Sequence, residues 1–289
     1  MLRRLALPLL SIFAFLTLSA APALAAKHSS GTSGQNGSGT NAPLGNDVSW
    51  PQCNKSLPSH QAFGIVGIND GLANNTNPCL NKELAWSQLS TGELTIQPAS
   101  QLYVNTGNPY GVNGITDWPK NNIDSHNYDT TAFDPYGSCD SSNVQACAWQ
   151  FGWNMADQDV KDRFAANTTG SMDSDPSHYI WWLDVETGNT WETGAVGQQH
   201  NIAVLEGMAK YLNVYGAKAG LYSTSYQWGK ITGTNSTGTL LDGADSWLPG
   251  ARSQKAAAGN CSLPSLTAGG KVTMTQFISQ NLDYDYSCL

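Results

Sequence analysis

The stretch Tyr179-Ile180-Trp181-Trp182-Leu183-Asp184-Val185-Glu186 is continuously apolar and then stops at two acids. A run of this length, bulky and without polar alternation, reads as a strand buried on both faces, the habit of parallel sheets covered by helices. Working forward, Ile202, Leu205, Met208, Ala209 and Leu212 recur at helical spacing, and Gly216 supplies a stop. The chain then returns to a β pattern at Ala219–Thr224. Further strand-like runs stand at Asn46–Trp50, Phe63–Asn69, Leu102–Asn105, Ser246–Leu248, Val272–Phe277 and Asn281–Asp285. Eight strands separated by helical or loop stretches predict an α/β fold, a (β/α)8 TIM-type barrel of parallel strands. Trp149 to about Phe164 reads as a further helix. Asn105–Gln150 is rich in Asn, Asp, Gly and Pro and carries two cysteines, which suits a stapled functional loop.

Ahead of the barrel the sequence has other business. Met1-Leu2-Arg3-Arg4, an apolar run to Ala20 and the small-residue tripeptide Ala23-Leu24-Ala25 form a signal peptide over residues 1–25, interrupted by Pro8 as an anchor helix would not be. Residues 26–44 are a flexible Gly/Ser/Asn-rich linker, and 45–289 are the barrel domain. The expected location is therefore secreted, extracellular, with no stable membrane insertion after cleavage. Six cysteines, Cys53, Cys79, Cys139, Cys147, Cys261 and Cys288, suit three disulfides there, among fifteen possible pairings. Cys139 with Cys147 is the expected local pair, and Cys261 with Cys288 would tie down the C-terminus. No C-x-x-C occurs and the five histidines are scattered, so neither a metal nor a cofactor is expected. Asn74, Asn167 and Asn235 each begin a glycosylation acceptor triplet.

The formal charge of −8 becomes about −10 without Arg3 and Arg4, and no basic cluster remains, which argues against nucleic acid and anionic membrane as partners. Charged residues are 12% of the chain, beside ten Trp and eleven Tyr. Such a composition suits an uncharged, hydroxyl-rich ligand, a polysaccharide, although aromatic residues also fill cores.

Asp184 and Glu186 are two apart on one strand and project to the same side, at the strand end where barrel enzymes keep their chemistry. Neighbouring carboxylates oppose each other's ionisation, so one keeps a proton while its partner is charged, the division of labour of glycoside hydrolysis. Asp47 and Asp283 end the first and last strands, neighbours once a barrel closes, and could join them. Clustered oxygens could alternatively hold calcium, and a lone strand-end acid is often only a solvated cap.

Asn46-Asp47-Val48-Ser49-Trp50, Leu183-Asp184-Val185-Glu186, Gln276-Phe277 and Leu282-Asp283-Tyr284-Asp285, in that order, resemble the family-25 glycoside hydrolases, muramidase-type lysozymes with a (β/α) barrel. Gly220–Thr224 and Trp247-Leu248 resemble the later strands of that family. The resemblance implies Glu186 as general acid, Asp184 as stabiliser of positive charge or of the N-acetyl group, and Asp283 and Asp47 as supporting carboxylates. It implies peptidoglycan as substrate, cut between N-acetylmuramic acid and N-acetylglucosamine. Tyr103, Tyr222 and Trp247 are candidates for lining the sugar cleft, with Asp70 and Gln276 as further substrate contacts. Pro51-Gln52-Cys53 after the first motif, Asn69-Asp70-Gly71, Asp285 in place of an expected Asn and the cysteine-bearing insert depart from the family pattern and suit an outlying branch. A secreted monomeric glycosidase is the leading expectation, and a non-catalytic glycan-binding barrel is the alternative. No G-x-S-x-G or H-E-x-x-H signature supports a serine or metallo-hydrolase.

Overall fold

The computed structural model describes residues 44–93, 95–112, 117–233 and 238–289. The leader, nearly all of the linker and Asn235 lie outside the described residues. Eight strands close into one barrel in sequential order: β1 Leu44–Val48, β2 Gly64–Gly67, β3 Ser100–Asn105, β4 Ile180–Asp184, β5 Lys218–Tyr222, β6 Asp245–Ala251, β7 Val272–Ser279 and β8 Leu282–Ser287. The barrel therefore begins at Leu44, one residue inside the linker as bounded from sequence. The helices are α1 Leu80–Ser87, α2 Gln145–Gln158, α3 Ala165–Asn167, α4 Gly194–Val214, α5 Ser225–Thr232 and α6 Gln254–Asn260, with a π-helical segment Asp159–Phe164 joining α2 to α3.

Seven strands run parallel as expected, but β8 is antiparallel to both β7 and β1. The cause is local. Only Gln280 and Asn281 separate β7 from β8, both with positive φ (52° and 60°), the backbone of a two-residue hairpin turn that leaves no room for a crossover helix. No α-helix follows β1 either: Trp50–Gln52 form a 3-10 turn, so Trp50 stands outside the strand in which the sequence places it.

The barrel interior and the shell beneath the helices are separate apolar clusters. Phe63, Ile65, Ile180, Trp182, Trp247 and Met274 fill the interior, with Tyr103 and Tyr222 above them. Rings of this size fit because small residues face them. A Cβ on Gly220 would come within 2.4 Å of the Trp182 ring, and one on Gly67 within 2.6 Å of Tyr103. Outside, Trp181, Leu183 and Val185 pack with Trp149, Trp153 and Leu205 from α2 and α4. This explains the unbroken apolar reading of β4, in which Trp182 points in while its neighbours point out. Most of the aromatic content is thus core rather than sugar-binding surface.

Three disulfides join Cys139 to Cys147 and Cys261 to Cys288, as expected, and Cys53 to Cys79. The second bridges the loop after α6 to the residue following β8. No described helix is long and apolar enough to cross a membrane.

Candidate active site

The mouth of the barrel is the end at which β1 to β7 finish. There Asp47, Tyr103, Asp184, Glu186, Tyr222 and Trp247 line one cleft of about 330 Å³. A second hollow, with Leu72, Pro109 and Phe151 in its walls, lies over the loops after β2 to β4. It offers Asp117 but no acid pair, whereas the barrel-mouth cleft gathers three acids.

Glu186 lies beyond the last paired residue of β4, yet its backbone is held as if the strand continued. The Val185 amide donates to the Tyr222 carbonyl at 2.9 Å, and the Ser223 hydroxyl donates to the Val185 carbonyl at 2.7 Å. Asp184 and Glu186 consequently share a face, while Val185 is buried in the outer shell. Asp184 Oδ2 accepts from Asn105 Nδ2 at 2.9 Å; its buried Oδ1 meets no partner. Burial, then the nearby charge of Glu186, raises the Asp184 carboxyl well above the usual carboxylate range. Glu186 is only half-buried, and its Oε1 accepts from Gln227 Nε2 at 3.2 Å.

Asp47 faces Asp283 across the β1–β8 pair, and directly opposed residues of an antiparallel pair project to the same side. Asp47 Oδ2 accepts from Gln276 Nε2 at 2.8 Å, and Gln276 Oε1 accepts from the Tyr222 hydroxyl at 2.9 Å. Burial and the charge of Asp283 push Asp47 from 3.8 up to about 8. Asp283 is itself raised by burial. Below them Asp285, fully buried with both oxygens unpartnered, is driven well up by burial and by Asp47 and Asp283. With no cation facing these acids among the described residues, the cleft floor near neutrality carries protonated carboxyls rather than a block of negative charge.

The sequence-derived candidates therefore divide. Asp47, Asp184, Glu186, Tyr103, Tyr222 and Trp247 converge on the cleft. Asp283 stands beside Asp47, whereas Gln276 is buried one layer back and hydrogen-bonds both Asp47 and Tyr222. Asp70 is exposed on the loop after β2 and does not line the cleft.

Sequence reasoning missed Gln227, Asn105 and the relay behind Asn105. The Asn105 amide donates to Asn69 Oδ1 at 2.8 Å, Asn69 Nδ2 donates to Asp159 Oδ1 at 3.0 Å, and Arg163 pairs with the same oxygen at 2.7 Å. Asp159 and Arg163 sit in the π-helical segment, a distortion that often accompanies functional sites. The only visible sign was the polar ending of strands that are otherwise apolar, Ile68-Asn69 and Val104-Asn105. Among the described residues, the one His/Cys/Asp/Glu group close enough to share a metal is Cys53, Cys79 and Glu83, whose sulfurs are joined in a disulfide.

A family model described as Lys-1, Lysozyme-like protein 1, matches residues 163–246. Over that segment the chain resembles a lysozyme-like protein. The segment contains β4, the Asp184 and Glu186 pair, α4 and β5. No curated protein matches the chain. Among solved structures, it is similar to a family GH25 lysozyme from Aspergillus fumigatus, at 16% identity over 86% of this chain and 94% of that one, with a TM-score of 0.48. A muramidase from Trichobolus zukalii is 16% identical over 85% and 93% of the two chains, with a TM-score of 0.45. The bacterial lysozyme of Streptomyces coelicolor is 15% identical over 86% and 93%, with a TM-score of 0.46.

Proposed function

We propose that this protein is a secreted glycoside hydrolase that cleaves the glycan of peptidoglycan by carboxylate acid/base catalysis. The observation that carries the reading is the convergence of Asp184 and Glu186, with Asp47, in one aromatic-walled cleft at the barrel mouth. Burial and the charge of Glu186 beside it raise the Asp184 carboxyl, so the two side chains bring a proton to the cleft. Glu186 is the more exposed member and gives that proton to the glycosidic oxygen as the bond to the sugar carbon breaks, the bonding electrons leaving with the oxygen. Water then adds to that carbon and returns a proton to Glu186. Asp184, anchored by Asn105 with Oδ1 free, orients the N-acetyl group and offsets positive charge on the ring. Neutral Asp47 hydrogen-bonds a sugar hydroxyl, while Tyr103, Tyr222 and Trp247 supply apolar walls.

The test is dye release from labelled peptidoglycan by the secreted chain and by Glu186→Gln. The substitution keeps the side-chain shape and the Gln227 contact but removes the proton. It should lower the rate at least a hundredfold, with thermal stability unchanged. Equal rates would refute the role of Glu186, and saturable binding without cleavage by the unmodified chain would favour a glycan-binding barrel.

A further inference from the structure

Trp50 is the one exposed tryptophan of the ten, at 45% of its surface, while the others are buried or half-buried. Its position is not an accident of a loose loop. It opens the 3-10 turn directly after β1, three residues beyond Asp47, so it stands on the rim of the mouth. The turn is held by Gln52 N donating to Ser49 O at 2.8 Å, by Ser49 N donating to Gln52 Oε1 at 3.0 Å, and by Pro51. The Cys53–Cys79 disulfide then clamps the turn to the start of α1.

A bulky indole on a rigid turn is usually covered, and Trp50 keeps nearly half of its surface open to solvent. Among the described residues it pairs with no aromatic ring, and its Nε1 donates to no acceptor. Its near neighbour is Gly71, where a Cβ would still stand 3.6 Å from Nε1 and where φ is +75°. Gly71, at its positive φ, turns the chain sharply after Asp70 and sets that loop against the indole edge. The Asp70 backbone is fixed on both sides by Asn75, whose Oδ1 accepts from the Asp70 amide at 2.8 Å and whose Nδ2 donates to its carbonyl at 2.6 Å. The Asp70 carboxylate itself is exposed, with no partner among the described residues.

A preorganised flat apolar face beside a free hydrogen-bond acceptor is the arrangement that receives one face of a pyranose ring and its hydroxyl or amide protons. We propose that Trp50 and Asp70 form an outer sugar subsite on the β1–β2 side of the mouth, which holds a ring of the glycan beyond those flanking the bond that is cut. The subsite rests on the glycanase reading and gives it a direction: long glycan strands are gripped at the β1–β2 rim while Glu186 acts at the centre.

The experiment measures KM and kcat on labelled peptidoglycan, and dissociation constants for N-acetylglucosamine oligomers of two and six rings, for the unmodified chain, Trp50→Ala, Trp50→Phe and Asp70→Asn. Trp50→Ala should weaken the hexamer about tenfold, leave the dimer within about twofold and raise KM with kcat kept. Trp50→Phe should recover much of the loss, and Asp70→Asn should weaken the hexamer less. A hexamer affinity that Trp50→Ala leaves unchanged, or a dimer affinity that falls equally, would overturn the subsite while the unmodified chain still cleaves. Absence of both cleavage and oligomer binding in the unmodified chain would instead overturn the glycan reading, and this subsite with it.

Discussion

Replacing Asp47 by Asn should stabilise the fold and impair the enzyme, and the gain should depend on pH in a sense fixed by the site. In the folded chain Asp47 holds its proton up to about pH 8, against 3.8 for an ordinary aspartate. Between those values the folded state binds the proton and the unfolded state does not, so unfolding releases a proton and becomes easier as pH rises. The contribution of Asp47 to stability is therefore complete below about 3.8 and is lost as pH climbs through about 8. At pH 7 the gap is roughly three pH units, an upper bound of about 4 kcal/mol. Asp283 and Asp285 share that proton balance, so about 2–4 kcal/mol is the working figure. Asn cannot ionise, and its side-chain oxygen can still accept from Gln276 Nε2. Asp47→Asn should raise the melting temperature at pH 8 by roughly 4–16 °C for a domain of this size. At pH 4 it should raise it little or not at all. Thermal melts of both proteins across pH 4–9 read this directly. An equal shift at both ends, or destabilisation at pH 8, would show that Asp47 is charged in the folded protein.

Gly207→Ala should cost about 3 kcal/mol and lower the melting temperature by roughly 6–12 °C, because the new methyl would meet the Trp149 carbonyl oxygen of α2 at 2.0 Å and no rotamer can relieve a backbone contact. A melt within 1–2 °C of the parent would refute that close approach of α2 and α4. His126 ties the loop after β3 to the buried Asp157, and its pKa is raised chiefly by that hydrogen bond. Its contribution to stability is complete below the ordinary 6.5 and is lost as pH rises through the raised value. Amide protection factors around residues 122–130, taken relative to the intrinsic exchange rate, should accordingly fall above neutrality in the parent, and much less so in His126→Ala, where they are low throughout.

The strands were legible because each is short, largely apolar and bounded by polar residues, and all eight overlap the observed elements. The convergence of Asp184 with Glu186 was legible for the same reason: a spacing of two on a strand fixes a shared face whatever the neighbours are. The reversal at Gln280-Asn281 was not, since neither residue is glycine and the positive φ at both is imposed by the closing of β8 onto β1. Nor could sequence separate Trp50 from the other tryptophans. Hydrophobicity is equal in all of them, and exposure depends on whether a helix happens to cover the residue.

By itself, the sequence determined what is local and periodic: the strand and helix runs, the pairing of two acids on one strand, and a cysteine count suited to oxidising surroundings. The tertiary structure alone decided which acids lose water together. A carboxyl's pKa and reactivity are set by the dielectric and the charges within a few ångströms, and those come from strands far apart in the chain. Asp47, Asp184 and Asp285 lie on β1, β4 and β8, and only closure of the barrel makes them neighbours without a cation. The pattern of residues names the candidates, and the burial created by folding assigns them their protons.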